Sequence, residues 1–81
     1  MDLKVLTPEK TLFQGEVSSV TVPCVDGYLQ ILPHHADLVG RLKSGILSYH
    51  QVGEAEEAVE YAVSSGFVEV RKNTVVILLP A

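Results

Sequence analysis

Three histidines and an aspartate are the residue types here that could act together: His34, His35, Asp37 and His50. Imidazole and carboxylate groups ligate zinc, copper and non-haem iron, so this set reads as a candidate mononuclear site in a small metal-dependent β-barrel enzyme. The spacing works against it. Neighbours on a strand point to opposite faces, so His34 and His35 reach one ion only from a loop. No His-x-His pair exists, and His50 falls on a different expected strand. A histidine pair at a loop tip or an interface is the plainer reading. Cys24 would be a nucleophile only beside a base, an orienting group and an oxyanion hole. Its neighbours supply none of these, and it reads as a small residue in a turn. Glu54, Glu56, Glu57 and Glu60 form the one charge run. Carboxylate pairs do acid–base work when one of them is desolvated, but next to Gly53 these read as a solvated hairpin end. Ser64-Ser65-Gly66 lacks the Gly-x-Ser-x-Gly context of a nucleophile elbow, and no phosphate loop or dinucleotide fingerprint is present. Catalysis by this chain alone is not expected, and no cofactor is implied.

The elements that would position these residues are short, β-branched and punctuated by Gly, Pro, Asn and Asp. Leu3 to Leu6 reads as a strand ended by Pro8, because proline lacks the ladder donor. Thr11 to Phe13 resumes briefly before Gly15, and a longer run follows from Glu16 to Pro23. Val17, Val20 and Val22 slip phase once, which a β-bulge between 17 and 20 repairs. Asp26-Gly27 predicts a turn, and Tyr28 to Leu32 another strand. His34 to Lys43 fits a helical turn or a bent strand. Ile46 to Val52 and Glu56 to Val63 read as strands around a Gly53-Glu54 turn. Phe67 to Arg71 and Thr74 to Leu79 predict a last hairpin about Lys72-Asn73. Strands at this spacing predict an all-β sandwich or barrel.

The chain has 81 residues, one domain at most, and 47 % of them are apolar. Six basic against ten acidic side chains give a net charge of −4, which argues against a phosphate-backbone binder. One cysteine forms no internal disulfide, so no oxidising compartment is implied. The N-terminus carries no apolar signal-peptide core, and the longest apolar run, Val75–Leu79, is too short to span a bilayer. The expectation is a small soluble intracellular domain. Tyr28 to Leu42 is rich in apolar residues beyond what a small core needs, which makes it a candidate protein-docking stretch.

Several blocks carry a resemblance. They are Leu3-Lys4-Val5-Leu6-Thr7-Pro8-Glu9-Lys10, Leu12-Phe13-Gln14-Gly15-Glu16-Val17 and Val20-Thr21-Val22-Pro23. After Asp26-Gly27 come Ile31-Leu32-Pro33-His34-His35-Ala36, Leu42-Lys43-Ser44-Gly45 and Ala62-Val63-Ser64-Ser65-Gly66-Phe67-Val68-Glu69-Val70. In order and spacing, over essentially the whole chain, they resemble the N-terminal β-sandwich domain of the epsilon subunit of F-type ATP synthases (delta in mitochondria). The resemblance implies a flattened β-sandwich of ten strands in two five-stranded sheets. It implies a non-catalytic place at the foot of the rotating central stalk, bound to the gamma subunit and to the c subunits of the membrane rotor ring. Proton flow and ATP synthesis are coupled there because the three turn as one body. It places the domain peripherally on the cytoplasmic side of the bacterial inner membrane. Tyr28, Leu29, Pro33, His34, His35 and Ala36 would face the ring, and Leu38, Val39, Gly40, Arg41 and Leu42 would face gamma.

The sequence departs from that family at four places. Gly usually stands where Cys24, Gln30 and His34 are, and Pro where Asp37 is, so a remodelled ring contact is expected. His35 is the position that matches the family histidine. Most members continue into a C-terminal helical hairpin, which inhibits ATP hydrolysis and in some members binds ATP. Residues 1–81 read as a single sandwich domain, either a naturally short form or a truncated one, and in either case hairpin inhibition and ATP binding are not expected of them. A free-standing adaptor sandwich with another partner is the remaining alternative beside the metal enzyme.

Overall fold

Alternation of β-branched and polar residues buries one side of each short strand, and the computed structural model follows that pattern closely. It describes residues 1–53 and 58–80. Eight strands form: β1 (Asp2–Leu6), β2 (Thr11–Cys24), β3 (Gly27–Ile31), β4 (Leu38–Leu42), β5 (Gly45–Gln51), β6 (Val59–Val63), β7 (Gly66–Arg71) and β8 (Thr74–Leu78). His34 to Lys43 resolves into a turn followed by a strand, not a helix. The early part of the expected Glu56 to Val63 strand lies outside the described residues, as do Glu54, Glu56 and Glu57.

The longest element is where the expectation changes. A break at Gly15 was expected, yet β2 runs 14 residues without interruption. Gly15 pairs with Leu3 of β1. The Phe13 ring covers the space a side chain would need there, since an added Cβ would come within 2.9 Å of it. The bulge falls where the phase slip placed it: pairing with β5 shifts between Val17 and Ser19. Val17 is buried on one side of it, Val20 and Val22 on the other. A bulge bends its strand and increases the local twist. The first half of β2 therefore pairs with β1, and the second half lies between β3 and β5.

Two layers follow from that bend. One runs β2 (first half), β1, β8, β7, β4, with β1 and β8 parallel. The other runs β3, β2 (second half), β5, β6. They join where Cys24 pairs with Leu42 and the Lys43 amide donates to the Pro23 carbonyl at 2.8 Å. The resemblance implies ten strands in two five-stranded sheets. Eight are present among the described residues in one continuous hydrogen-bonded network, because β2 serves both layers as one strand.

The core between the layers is aliphatic: Leu3 and Val5, Val68 and Val70, Val75 and Ile77 from one layer meet Val20, Val22, Ile31 and Leu47 from the other. Among the described residues no polar or charged side chain is buried in it. Its one large aromatic is Tyr49, whose ring lies tilted 4.4 Å from Phe13 and stacked 6.3 Å from Tyr61, centroid to centroid. Burial first, and then the Tyr61 hydroxyl, push the Tyr49 pKa up to about 12, so the ring stays neutral. The last hairpin turns through Lys72 and Asn73 at φ 47° and 62°. Two positive φ values make the tight turn whose twist suits paired strands, and asparagine tolerates that conformation well.

Candidate docking face and loop

β4 decides which of the expected residues are available to a partner. Successive residues of a strand alternate sides, so five consecutive ones cannot all face gamma. Val39 and Arg41 point outward, and Val39 is 74 % exposed. Leu38 packs against the core, and a Cβ on Gly40 would point at Val68 and Cys24. Leu42 is buried at 4 % exposure. Leu42 is thus a core residue, and the expectation that it faces gamma is corrected by the pleat.

Beyond β4 the same outward face continues across residues that sequence reading missed. Arg41 pairs with Phe67 of β7, Phe67 with Leu78 of β8, and Leu78 with Leu6 of β1. Phe67 is 53 % exposed and Leu78 48 %. Isolated surface apolars need no explanation, but adjacent ones across neighbouring strands make a patch. At its end Arg41, Phe67, Leu78 and Pro80 line a groove of about 350 Å³. The signal was present in the sequence: once Val68, Val70 and Ile77 are read as inward, Phe67 and Leu78 must lie outside.

The residues expected to face the ring do not form one patch. Tyr28 and the Pro33–Ala36 segment sit at opposite ends of β3, with about 10 Å of strand between Tyr28 and Ile31 alone at roughly 3.3 Å per residue. Leu29 turns inward and packs on the core. Tyr28 lies on the outer face of its layer and is 58 % exposed. Its hydroxyl accepts a hydrogen bond from the Ile46 amide at 2.9 Å. That reach works because residue 45 is glycine: a Cβ there would come within 2.7 Å of both the Tyr28 hydroxyl and Pro23. Tyr28, Leu29, Leu38, Val39, Gly40 and Arg41 do share a second groove, about 340 Å³, which Cys24 also lines.

At the other end of β3 the Leu32–Asp37 loop is held from outside. His34 adopts φ 66°, a left-handed conformation that glycine takes at little cost and other residues uncommonly. The His35 amide donates to the Leu32 carbonyl at 3.1 Å and closes the turn. His35 Nδ1 lies 2.8 Å from the Ala36 carbonyl, which only accepts, so Nδ1 carries the hydrogen. Two further bonds cross to the β7–β8 turn. The His34 amide donates to Asn73 Oδ1 at 2.8 Å, and the Lys72 amide donates to Asp37 Oδ1 at 3.1 Å.

The metal reading does not survive this geometry. No group of three His, Cys, Asp or Glu among the described residues is placed to hold an ion. Asp37 Oδ1 accepts the Lys72 amide, and His50 stands apart from the loop on β5. Cys24 is a free thiol whose pKa is raised, first by burial and then by the Asp26 carboxylate. It is therefore protonated and a poor nucleophile near neutrality. No helix among the described residues is long and apolar enough to cross a membrane.

Comparison with known proteins gives one consistent answer. Residues 1–81 match the family model described as ATP synthase, Delta/Epsilon chain, beta-sandwich domain. The chain is 42 % identical over 78 residues to the ATP synthase epsilon chain of Leptospira borgpetersenii serovar Hardjo-bovis, covering 96 % of this chain and 59 % of that one. It is 45 % identical over 76 residues to the ATP synthase epsilon chain of Desulforamulus reducens, covering 94 % and 55 %. The chain thus spans little more than half the length of these curated relatives. Among solved structures it is similar to a chain of the Euglena gracilis mitochondrial ATP synthase, OSCP/F1/c-ring. The TM-score is 0.87 at 25 % identity, over 98 % of this chain and 49 % of that one. A chain of the Tetrahymena thermophila mitochondrial ATP synthase central stalk and c-ring shares the fold, with TM-score 0.82 at 23 % identity over 100 % of this chain and 63 % of that one. The chain belongs to the family of the ATP synthase delta/epsilon β-sandwich domain, a non-catalytic part of that enzyme.

Proposed function

We propose that this chain is a rotor element of a proton-driven ATP synthase, a rigid wedge that joins the gamma subunit to the membrane rotor ring. It makes and breaks no bond. Gamma docks on the outward face of β4, β7 and β8, and the ring meets the β2–β3 hairpin end around Tyr28. Because all three turn together, proton passage at the ring becomes torque on gamma. The domain works peripherally, on the cytoplasmic side of a bacterial inner membrane.

The observation that carries this reading is the cross-strand row Arg41, Phe67, Leu78, Leu6, apolar in three of its four members on a sheet face open to solvent. It belongs to a domain whose structural relatives come from F1/c-ring and central-stalk assemblies. Interfaces take their energy from a few central apolar or aromatic anchors with a polar or charged rim, and Phe67 beside Arg41 has that form. At the hairpin end, Val25 and Tyr28 are both more than half exposed. Tyr28 is fastened there by the Ile46 amide, which suits a contact that must transmit force.

The test is co-migration of the purified chain with the gamma subunit of its host on size exclusion at micromolar concentration. Wild type should co-migrate, and Val39→Asp, on the outward side of β4, should not. A folded wild-type chain that migrates alone would sink the assignment.

A further inference from the structure

The Leu32–Asp37 loop and the Lys72–Asn73 turn are 35 to 39 residues apart in the chain, yet each uses a side chain to satisfy the other's backbone. Asn73 Oδ1 takes the His34 amide, and Asp37 Oδ1 takes the Lys72 amide. The exchange is reciprocal and joins segments at the same end of one layer. Three non-glycine residues in it, His34, Lys72 and Asn73, hold positive φ. A histidine stays in that region when its surroundings fix it there, and the Asn73 bond is made to that same residue. Asp37 is also the last residue before β4. Fixing it sets where the strand begins, and so where Val39 stands on the outward face.

We propose that Asp37 and Asn73 are positioning residues for gamma docking. Resting on the rotor reading above, they hold the loop and the leading end of β4 in the docked arrangement before the partner arrives. A surface already in its bound shape loses less conformational freedom on association.

Amide exchange and gamma affinity are measured together on the full chain. Asn73→Gly keeps the left-handed turn and removes the acceptor. Asp37→Ala removes the other acceptor, while Asp37→Asn retains an oxygen in its place. Losing one acceptor should speed exchange of the bonded amide, His34 or Lys72, by roughly tenfold or more, with core amides unchanged. Gamma affinity should fall by about three- to tenfold in Asn73→Gly and Asp37→Ala. Asp37→Asn should restore both readouts, and the unchanged core amides separate the effect from a general loss of stability. Unaltered exchange in the two disrupting variants would overturn the reciprocal bonds. Faster exchange with undiminished gamma affinity would overturn the positioning role and leave the rotor reading intact. Failure of wild type itself to bind gamma would overturn the rotor reading and the positioning role with it.

Discussion

Two cross-strand rows, one on each outer face, show how differently the same pleat can be dressed. On the β3–β2–β5–β6 layer the row is Gln30, Thr21, Ser48, Glu60. On the β4–β7–β8–β1 layer it is Arg41, Phe67, Leu78, Leu6. Both rows back onto one aliphatic core, so burial beneath does not separate them. The polar row is what water requires of a half-buried sheet. The apolar row leaves an aromatic and a leucine about half exposed and calls for a partner. The second layer has apolar side chains outside too, at Tyr28 and Ile46, but there the Tyr28 hydroxyl is bonded to the Ile46 backbone. One face presents a continuous apolar row, and the other ties its exposed tyrosine to the backbone.

The largest effect should come from crossing β4 rather than moving along it. Leu42→Asp places a carboxylate in the aliphatic core and should cost more than about 4 kcal/mol, enough to unfold a marginal domain of this size. Val39→Asp, three residues away on the opposite side, should leave stability within about 0.5 kcal/mol of wild type. Thermal unfolding of the two decides it. Equal losses would mean that the outward side of β4 is not a surface.

The next contrast is between the rows themselves. Phe67→Ala should weaken gamma binding by about 2 kcal/mol, roughly thirtyfold, as truncation of a central aromatic anchor does. Ser48→Ala on the polar row should leave binding unchanged. If both variants bind alike, the apolar row is not the docking face.

What the sequence made legible follows from local rules. The bulge after Val17 came from a phase slip and the Lys72-Asn73 turn from its residue types. The Asp26-Gly27 signal located a turn one residue late: the chain turns at Val25-Asp26, and Gly27 already pairs with Cys24 as the start of β3. The continuity of β2 through Gly15 was not legible, since glycine marks a break only where no neighbour's ring covers it. The outward face proposed for docking was half legible as surface. Val39 and Arg41 lay in the stretch singled out, but reading residues 38–42 as one patch ignored the pleat, and Phe67 and Leu78 were read only as strand. The reciprocal bonds of Asp37 and Asn73 depend on two segments meeting across the fold, which no local pattern reports.

A smaller effect tests how the Tyr28 side is fixed. Gly45→Ala would push a methyl group into Pro23 and the Tyr28 hydroxyl, both at 2.7 Å. Something must shift, at a cost of about 1–3 kcal/mol by the usual penalty of overpacking. Tyr28→Phe in the same background removes the hydroxyl and should recover part of that loss. A Gly45→Ala chain as stable as wild type would mean that Pro23 and the Tyr28 hydroxyl both give way easily, and the contrast between a tied tyrosine and an open apolar row would fail.

The smallest effect concerns His34, at the loop bordering the apolar face. Its left-handed conformation costs a non-glycine residue about 1–2 kcal/mol. Glycine would remove that cost but add unfolded-state entropy worth about 0.5–1 kcal/mol. His34→Gly should therefore stabilise the domain by only about 0.5 kcal/mol, the difference of these terms. The bond to Asn73 uses the His34 backbone amide, so it survives the change. His34→Val keeps the same amide but places a β-branched side chain where φ is positive, and should destabilise by about 1 kcal/mol or more. Urea unfolding resolves a spread of that size. If glycine and valine behave alike, the loop's backbone is not held at positive φ. The apolar face would then be bordered by a segment that adapts to its partner, and the preformed arrangement proposed for that loop would fail with it.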